Sequence, residues 1–362
     1  MLTVGFVFNL ATEELLSENP ELTLNLTDAP ETIEAVASAL EEGGRDVVRL
    51  NADRRLPATL AQMRFDVVFN IATGIYGDTR QANVPALCEY LRIPHTGSGV
   101  LAEAVTNHKP VMKTVMLAHN LPTPAFQVFQ HGNEPIQRNL RFPLIVKLPA
   151  EGGSLGLDCD SIVDNKADLR ARINLLVEKY GQGALVEEYI EGREFTVPVL
   201  GNCPPYALPV VERVFCGECH IMLDEPEETT LSELERLTGQ TYEYIPTQSI
   251  SVAPADLPPG VTARIQQISV DTYTTLRCQD WARIDLRMDA HGEIYVIDVN
   301  LEPAIAPDYA LARSARAAGW TYPQLVNTIL DHALDRYPQF VQTVRPMFAP
   351  VMRVPVVKPI CA

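Results

Sequence analysis

The chain has 362 residues, 46% of them hydrophobic and 21% charged, a balance that suits a globular protein too long for a single core. Its 46 acidic residues outnumber 29 basic ones, for a net charge of -17. A surface of that sign repels phosphate backbones and anionic bilayers, which sets aside nucleic acid and membrane as partners. The opening "MLTVGFVFNLATEEL" has neither a basic n-region nor a long apolar run, so it reads as a first strand and a cytoplasmic location is the expectation.

Residues 2–8 form an apolar strand. "APETIEAVASALEEGG" sets Ile33, Val36 and Leu40 on one helical face, with a proline near its start and Gly-Gly at its end. "DVVRL" and "FDVVFNIA" read as short buried strands and "QANVPALCEYLRI" as a helix, so the first hundred residues predict an open α/β sheet. "VLAEAVTNHKPVMKTVMLAHN" reads as one helix that stops at "LPTP". "FPLIVKLPAEGGSLGLDCDSIV" is a strand, a glycine-rich loop and a second strand, and "KADLRARINLLVEKY" is an amphipathic helix. "GALVEEYIEGREFTVPVLGN" predicts two strands of antiparallel type joined at Glu191-Gly192.

Residues 224–240 are acidic and polar and read as a flap or short exposed helix. A helix is expected in "ADLPPGVTARIQQISVDTYTTL", and two more in "ALARSARAAGW" and "YPQLVNTILDHALDRY". The last segment, "RPMFAPVMRVPVVKPICA", is interrupted by prolines and cannot be a helix, so it reads as an extended tail packed on the body or on a second subunit. The seven cysteines are odd in number and scattered, which argues for free thiols. "CGECH" fits a haem c attachment pattern, but within "VERVFCGECHIML" it reads as two strand thiols flanking a tight turn.

Four constellations could carry chemistry. "WARIDLRMDAHGEIYVIDVNLEPA" is a β-hairpin with Asp285 on one arm and Asp298 and Asn300 on the other. Oxygen ligands on adjacent strands suit Mg²⁺, with Mn²⁺ as the alternative cation; a solvated face paired to Arg283 or Arg287 is the bland alternative. "KLPAEGGSLGLD" delivers Lys147 and then a loop of Glu151, Gly152, Gly153, Ser154 and Gly156, whose backbone N–H groups can cradle phosphate. "VEEYIEGREF" offers Glu187, Tyr189, Ile190 and Glu194 on strands flanking a turn, and "TNHKP" places Lys109 at a helix. Lys113, on that same helix, is expected to be a bystander.

In this order the four pieces resemble the ATP-grasp ligases, and within them the D-alanine–D-alanine ligase family. "IPHTGSG" is similar to the family's "IPYTGSG", "FPLIVKLPAEGGSLG" to its strand and loop, and "ARIDLRMDAHGEIYVIDVN" matches nearly position by position. The resemblance implies an α/β (α+β) ATP-grasp fold of three domains: an N-terminal open α/β sheet (1–103), a small central α+β subdomain (104–185) and a C-terminal α+β subdomain with an antiparallel sheet (186–340), followed by the tail 341–362. It implies that Lys109, Lys147 and the loop contact ATP phosphates, that Glu187, Tyr189 and Ile190 hold adenine and Glu194 the ribose. It also implies that Asp285, Asp298 and Asn300 hold Mg²⁺, and that Arg283, with Ser154 of the loop, serves the catalytic step. The substrates implied are a small carboxylate and a small amine, and the assembly a homodimer.

The chain departs from the family pattern on its amino-acid side. The first loop, "FNLATEELLSENPELTLNLTDAPET", lacks the glycines and the glutamate that grips an ammonium, and "IATGIYGDTRQ" has no histidine. Gly153, Asp298 and Ala304 stand where the family has serine, glutamate and glycine. Substrates other than two D-alanines are therefore expected. Arg80 is a new cation in that region, suited to an extra carboxylate or phosphate unless Asp78 neutralises it.

Overall fold

The computed structural model describes residues 1–12, 27–74, 76–77, 79–215, 221 and 249–337. The stretch 216–220 with its "CGECH" turn, the acidic segment 224–240 and the tail 341–362 lie outside those residues.

The first sheet is parallel, with β1 (Thr3–Phe8) between β2 (Asp46–Asn51) and β3 (Val67–Asn70). Helix α1 (Pro30–Glu42) crosses from β1 to β2, and its face of Ile33, Val36 and Leu40 is buried as the spacing predicts. A short helix hidden in "LPATLAQ", α2 (Leu56–Gln62), precedes β3. Only Leu56 and Leu60 of it are buried, too few to show a period. Helix α3 (Asn83–Leu91) closes the unit.

The next stretch, read as one helix, is two: α4 (Val100–Asn107) and α5 (Lys109–Ala118), parted at His108 with φ −99° and ψ 87°. Pro110 explains the break. A residue without an N–H fits only in the first turn of a helix, so a new helix starts there. Lys109 thereby comes to stand at a helix N-terminus.

The central sheet is antiparallel in the order β4 (Phe126–Phe129), β7 (Ala184–Glu188), β5 (Leu144–Lys147), β6 (Ile162–Val163). It is backed by α6 (Lys166–Tyr180), whose N-terminus is capped by Asn165, the side chain accepting from the N–H groups of Ala167 and Asp168. Strand β7 runs to Glu188 and so crosses the boundary expected at 185/186.

The third sheet has the order β11 (Ser249–Val252), β10 (Val211–Phe215), β8 (Arg193–Leu200), β12 (Trp281–Met288), β13 (Ile294–Asn300), with β9 (Tyr206–Ala207) beside β8. Strands β7 and β8 do not pair with each other; they belong to different sheets. Gly192 makes the passage between them at φ 141°, and a Cβ there would collide with the Met288 carbonyl, so only glycine fits. Helices α7 (Pro259–Thr275), α8 (Ala310–Ala317) and α9 (Tyr322–Asp335) complete the described chain.

One face of the third sheet, with Phe195, Val197, Ile284, Leu286 and Val296, packs on α5 and α7 in a single core. Another core joins the first sheet to the far end of the chain: Phe6, Val36, Leu40 and Phe69 pack with Leu311, Leu325, Ile329 and Leu330. Asn327 reinforces it by donating to the Ala39 carbonyl at 2.7 Å. Cys88, Cys203 and Cys278 are free thiols, as expected. Cys159 is disulfide-bonded, which corrects the expectation of free thiols throughout; spacing alone does not reveal which thiols the fold brings together. Among the described residues no helix is long and apolar enough to cross a membrane.

Two acids are buried where these units meet. Glu103 on α4 has no hydrogen-bond partner on either oxygen, and Glu302, just after β13, accepts from Asn70 Nδ2 at 2.9 Å. Burial pushes both carboxyls well above the usual range, and Glu103 adds to the rise at Glu302. An acid that holds its proton more tightly when folded loses stability as pH climbs above its unfolded value, about 4.3. Glu103→Gln, neutral at every pH, should therefore raise Tm by roughly 2–4 °C at pH 8 and by less at pH 5. Thermal melts of both proteins across that range check it; a gain that is largest at pH 5 contradicts the burial of protonated acids.

Candidate functional site

The hairpin β12–β13 sets the floor of the site. Asp285 lies directly opposite Asp298, and Arg283 opposite Asn300, so all four share the face away from the core. The register shifts after Asp285, because Leu286 pairs with Val296 and leaves Ile297 as an extra residue. That bulge brings both Ile297 and Asp298 to the cleft. Like charges facing each other across strands repel, and the surroundings supply the counter-charge. Arg283 donates through Nε and Nη2 to Asp285 Oδ2 at 3.1 and 2.9 Å, and Thr196 Oγ1 donates to Oδ1 at 2.8 Å. Burial pushes the Asp298 carboxyl up, but Lys109, Lys147 and Arg283 outweigh it and hold the group below the usual carboxylate range.

The opposite wall carries the lysines. Lys109 Nζ donates to the Glu151 carbonyl at 2.6 Å and lies 3.8 Å from Asp298. Lys147, the last residue of β5, pairs with Glu187 at 2.9 Å. The loop after β5 folds as two tight turns, Leu155 N–H to the Gly152 carbonyl and Leu157 N–H to the Ser154 carbonyl. Gly153 and Ser154 both take left-handed backbone, at φ 59° and 56°, a conformation costly for the serine. Glu194 on β8 pairs with Arg287 at 3.1 Å, and Arg287 also stacks 4.5 Å over the Tyr189 ring. Burial raises the Glu194 carboxyl while Arg287 pulls it back.

One cleft is lined by Lys109, Lys147, Glu151, Gly152, Gly153, Ser154, Glu187, Tyr189, Ile190, Glu194, Arg283, Asp285, Asp298 and Asn300. Gly156 is the nominated residue outside that lining. Its carbonyl accepts from Arg172 at 2.6 Å, and its Cα backs onto Leu148 and Leu176. Among the described residues no three His, Cys, Asp or Glu side chains are grouped to hold a metal. The third donor beside Asp285 and Asp298 is the Asn300 carboxamide, whose oxygen also accepts from the Glu302 N–H at 2.9 Å.

Residues 115–331 match the family model described as D-ala D-ala ligase C-terminus. The chain belongs to the D-alanine–D-alanine ligase family. A D-alanine–D-alanine ligase of Desulforudis audaxviator is 32% identical, over 83% of this chain and 92% of its own length. An uncharacterized protein of Sinorhizobium fredii, y4sG, is 35% identical over 84% of this chain and 88% of its own. Among solved structures, a Bacillus anthracis D-alanine–D-alanine ligase superposes with TM-score 0.71 at 21% identity, covering 93% of this chain and 98% of that one. The same ligase complexed with ATP superposes with TM-score 0.69 at 20% identity. The fold is thus ATP-grasp, and this family member is an ATP-dependent ligase that forms carbon–nitrogen bonds.

Two cations were misjudged from the sequence of this ligase. Lys113, taken as a bystander, is fully buried on α5 and lies 3.2 Å from Glu187. Its signal was the four-residue spacing from Lys109, which puts both on one side of a helix. Arg80, read either as a cation for a substrate anion or as one neutralised by Asp78, pairs with Glu151 at 2.9 Å and is 5% exposed. It thus ties the first unit to the glycine-rich loop; Asp78 lies outside the described residues. Arg80→Ala should loosen that loop, so amide exchange across residues 151–157 should quicken on the order of tenfold while β1 keeps its protection. Hydrogen exchange read by mass spectrometry checks this; unchanged protection of the loop would show that Arg80 does not restrain it.

Proposed function

We propose that this ligase joins a small carboxylate to a small amine through an acyl phosphate, on amino-acid-like substrates other than two D-alanines. The supporting observation is the cleft itself. Lysines and exposed loop backbone form one wall, and hard oxygen donors with an arginine form the other. Such a pairing suits an ATP triphosphate laid between them.

In this reading Lys109, Lys147 and the loop from Glu151 through Gly156 hold the phosphates. Glu187, Tyr189 and Ile190 hold the adenine, and Glu194 the ribose. Mg²⁺, or Mn²⁺ in its place, would be held by Asp285, Asp298 and Asn300, where it would neutralise phosphate charge. The donor set fits a hard cation: all three ligands are oxygens on adjacent strands, and Asp298 is held ionised by its neighbours. The substrate carboxylate attacks the γ-phosphorus and ADP leaves. The amine then attacks the acyl carbon and phosphate leaves, so the net products are an amide, ADP and phosphate. Arg283 would stabilise the oxyanion of the second step, and Ser154 would orient the phosphoryl oxygens from the loop.

The choice of substrate rests on the rewritten amino-acid side. A buried ammonium needs a carboxylate partner, and the first loop offers none in the family's register. Of the acids in that region that could take its place, Glu13, Glu14 and Glu18 lie in the undescribed part, and Asp28 accepts from the Asn9 N–H at 2.8 Å. The homodimer implied by the family resemblance belongs to the same proposal. The relatives named D-alanine–D-alanine ligase favour the second reading, in which both substrates are D-alanine.

The test is ADP release with paired amino acids and small carboxylates, with product masses read in parallel. D-alanine alone at millimolar concentration should give little turnover, at least ~100-fold below the active pair. Asp285→Asn should abolish turnover of that pair, a loss of about 100-fold or more, with the fold intact. Robust formation of D-alanyl-D-alanine overturns the substrate reading, and full activity of Asp285→Asn overturns the metal site.

A further inference from the structure

Glu187 is shared by two lysines. Its Oε2 lies 2.9 Å from Lys147 Nζ and its Oε1 3.2 Å from Lys113 Nζ. The two lysines differ in exposure. Lys147 is on the cleft wall with 12% of its side chain exposed, whereas Lys113 is 0% exposed and does not line the cleft. Lys113 is fixed from behind as well. Its ammonium donates to Thr123 Oγ1 at 2.7 Å, and that hydroxyl donates to the Val296 carbonyl at 3.0 Å. A chain of contacts therefore runs from strand β13, through Thr123, Lys113 and Glu187, to the lysine at the cleft.

The charges explain why such a chain exists. A lone Lys147–Glu187 pair would be neutral and would hold little attraction for a phosphate. The second ammonium makes the trio a net cation, with its exposed end at Lys147. Removing water from an ammonium is costly, and here it is tolerated because Glu187 pairs with its charge and Thr123 accepts one of its hydrogens. Burial draws Lys113 down to about 8 against the pull of Glu187, with Lys147 adding to the fall.

We infer that Lys113 is a positioning residue of the nucleotide site, the buried counter-charge to Glu187 that leaves Lys147 free to serve a phosphate. The inference rests on the nucleotide reading given above. Lys113 touches no substrate. It acts through Glu187, whose charge would otherwise be spent on Lys147 alone.

Calorimetric titration of Mg·ATP and of adenosine tests it without knowledge of the acid or amine. Wild type should bind Mg·ATP; a wild type that binds neither probe sinks the nucleotide reading itself. Lys113→Met keeps the apolar stem and removes the charge. It should weaken Mg·ATP about tenfold and adenosine little, because the loss is electrostatic and falls on the phosphates. Adding Glu187→Gln to Lys113→Met leaves Lys147 beside a neutral amide, so the ratio of Mg·ATP to adenosine affinity should return toward wild type. A merely structural lysine predicts the reverse, a further loss from the second lesion and an equal loss for both probes. Either that pattern or an unchanged ratio in folded Lys113→Met overturns the inference. Should Lys113→Met not fold, Thr123→Val decides: it removes the hydroxyl that holds Lys113 and should lower the same ratio about threefold, and no change overturns the inference.

Discussion

Two carboxylates that face each other across a strand pair, Asp285 and Asp298, set the terms for the rest of the site. Left alone they would push β12 and β13 apart. Arg283 answers Asp285 from two residues away on the same strand, and Lys109 and Lys147 answer Asp298 from another unit of the fold. The requirement to neutralise this pair thus draws α5 and β5 over the hairpin. The resulting cleft is a by-product of charge balance as much as of packing. Beneath it the opposite face of the same strands is wholly apolar, which fixes the register and keeps the acids from slipping to the core side.

The hairpin was legible because its signals agree. Alternation, a turn at "DAHG" and a run of oxygen donors at period two all point to one face. The glycine-rich loop and α6 were legible for similar local reasons, a strand ending in lysine and an amphipathic run. What escaped was decided by partners far along the chain. Lys113 looks like a bystander, and the partner of Arg80 cannot be named, until Glu187 and Glu151 are brought against them. Strands β7 and β8 look like a hairpin until Gly192 sends them into different sheets. Gly156 shares the loop with Gly153, but its neighbours Leu148 and Leu176 belong to the core of the central unit. The break at His108 was readable and missed, since Pro110 announces it.

The boundaries of the three units show the same division. Several contacts cross between the three sheets. Asn70 from the first sheet holds Glu302, whose N–H in turn holds the Asn300 carboxamide oxygen. Arg80 from the first unit restrains a loop of the second. Two hydrogen bonds, joined by the Glu302 side chain, thus link the first sheet to an oxygen donor of the third.

The core that joins α1 to α9 also bears on how the chain is made. Phe6, Val36 and Leu40 emerge early from the ribosome, but Leu325, Ile329 and Leu330, which cover them, arrive nearly three hundred residues later. At typical synthesis rates of roughly 5–20 residues per second, that interval is on the order of 15–60 seconds. During it the first sheet carries an uncovered apolar flank, while the central sheet, built from residues 126–188, can close on itself. The strands of the central sheet are thus all made before the residues that cover the first sheet exist.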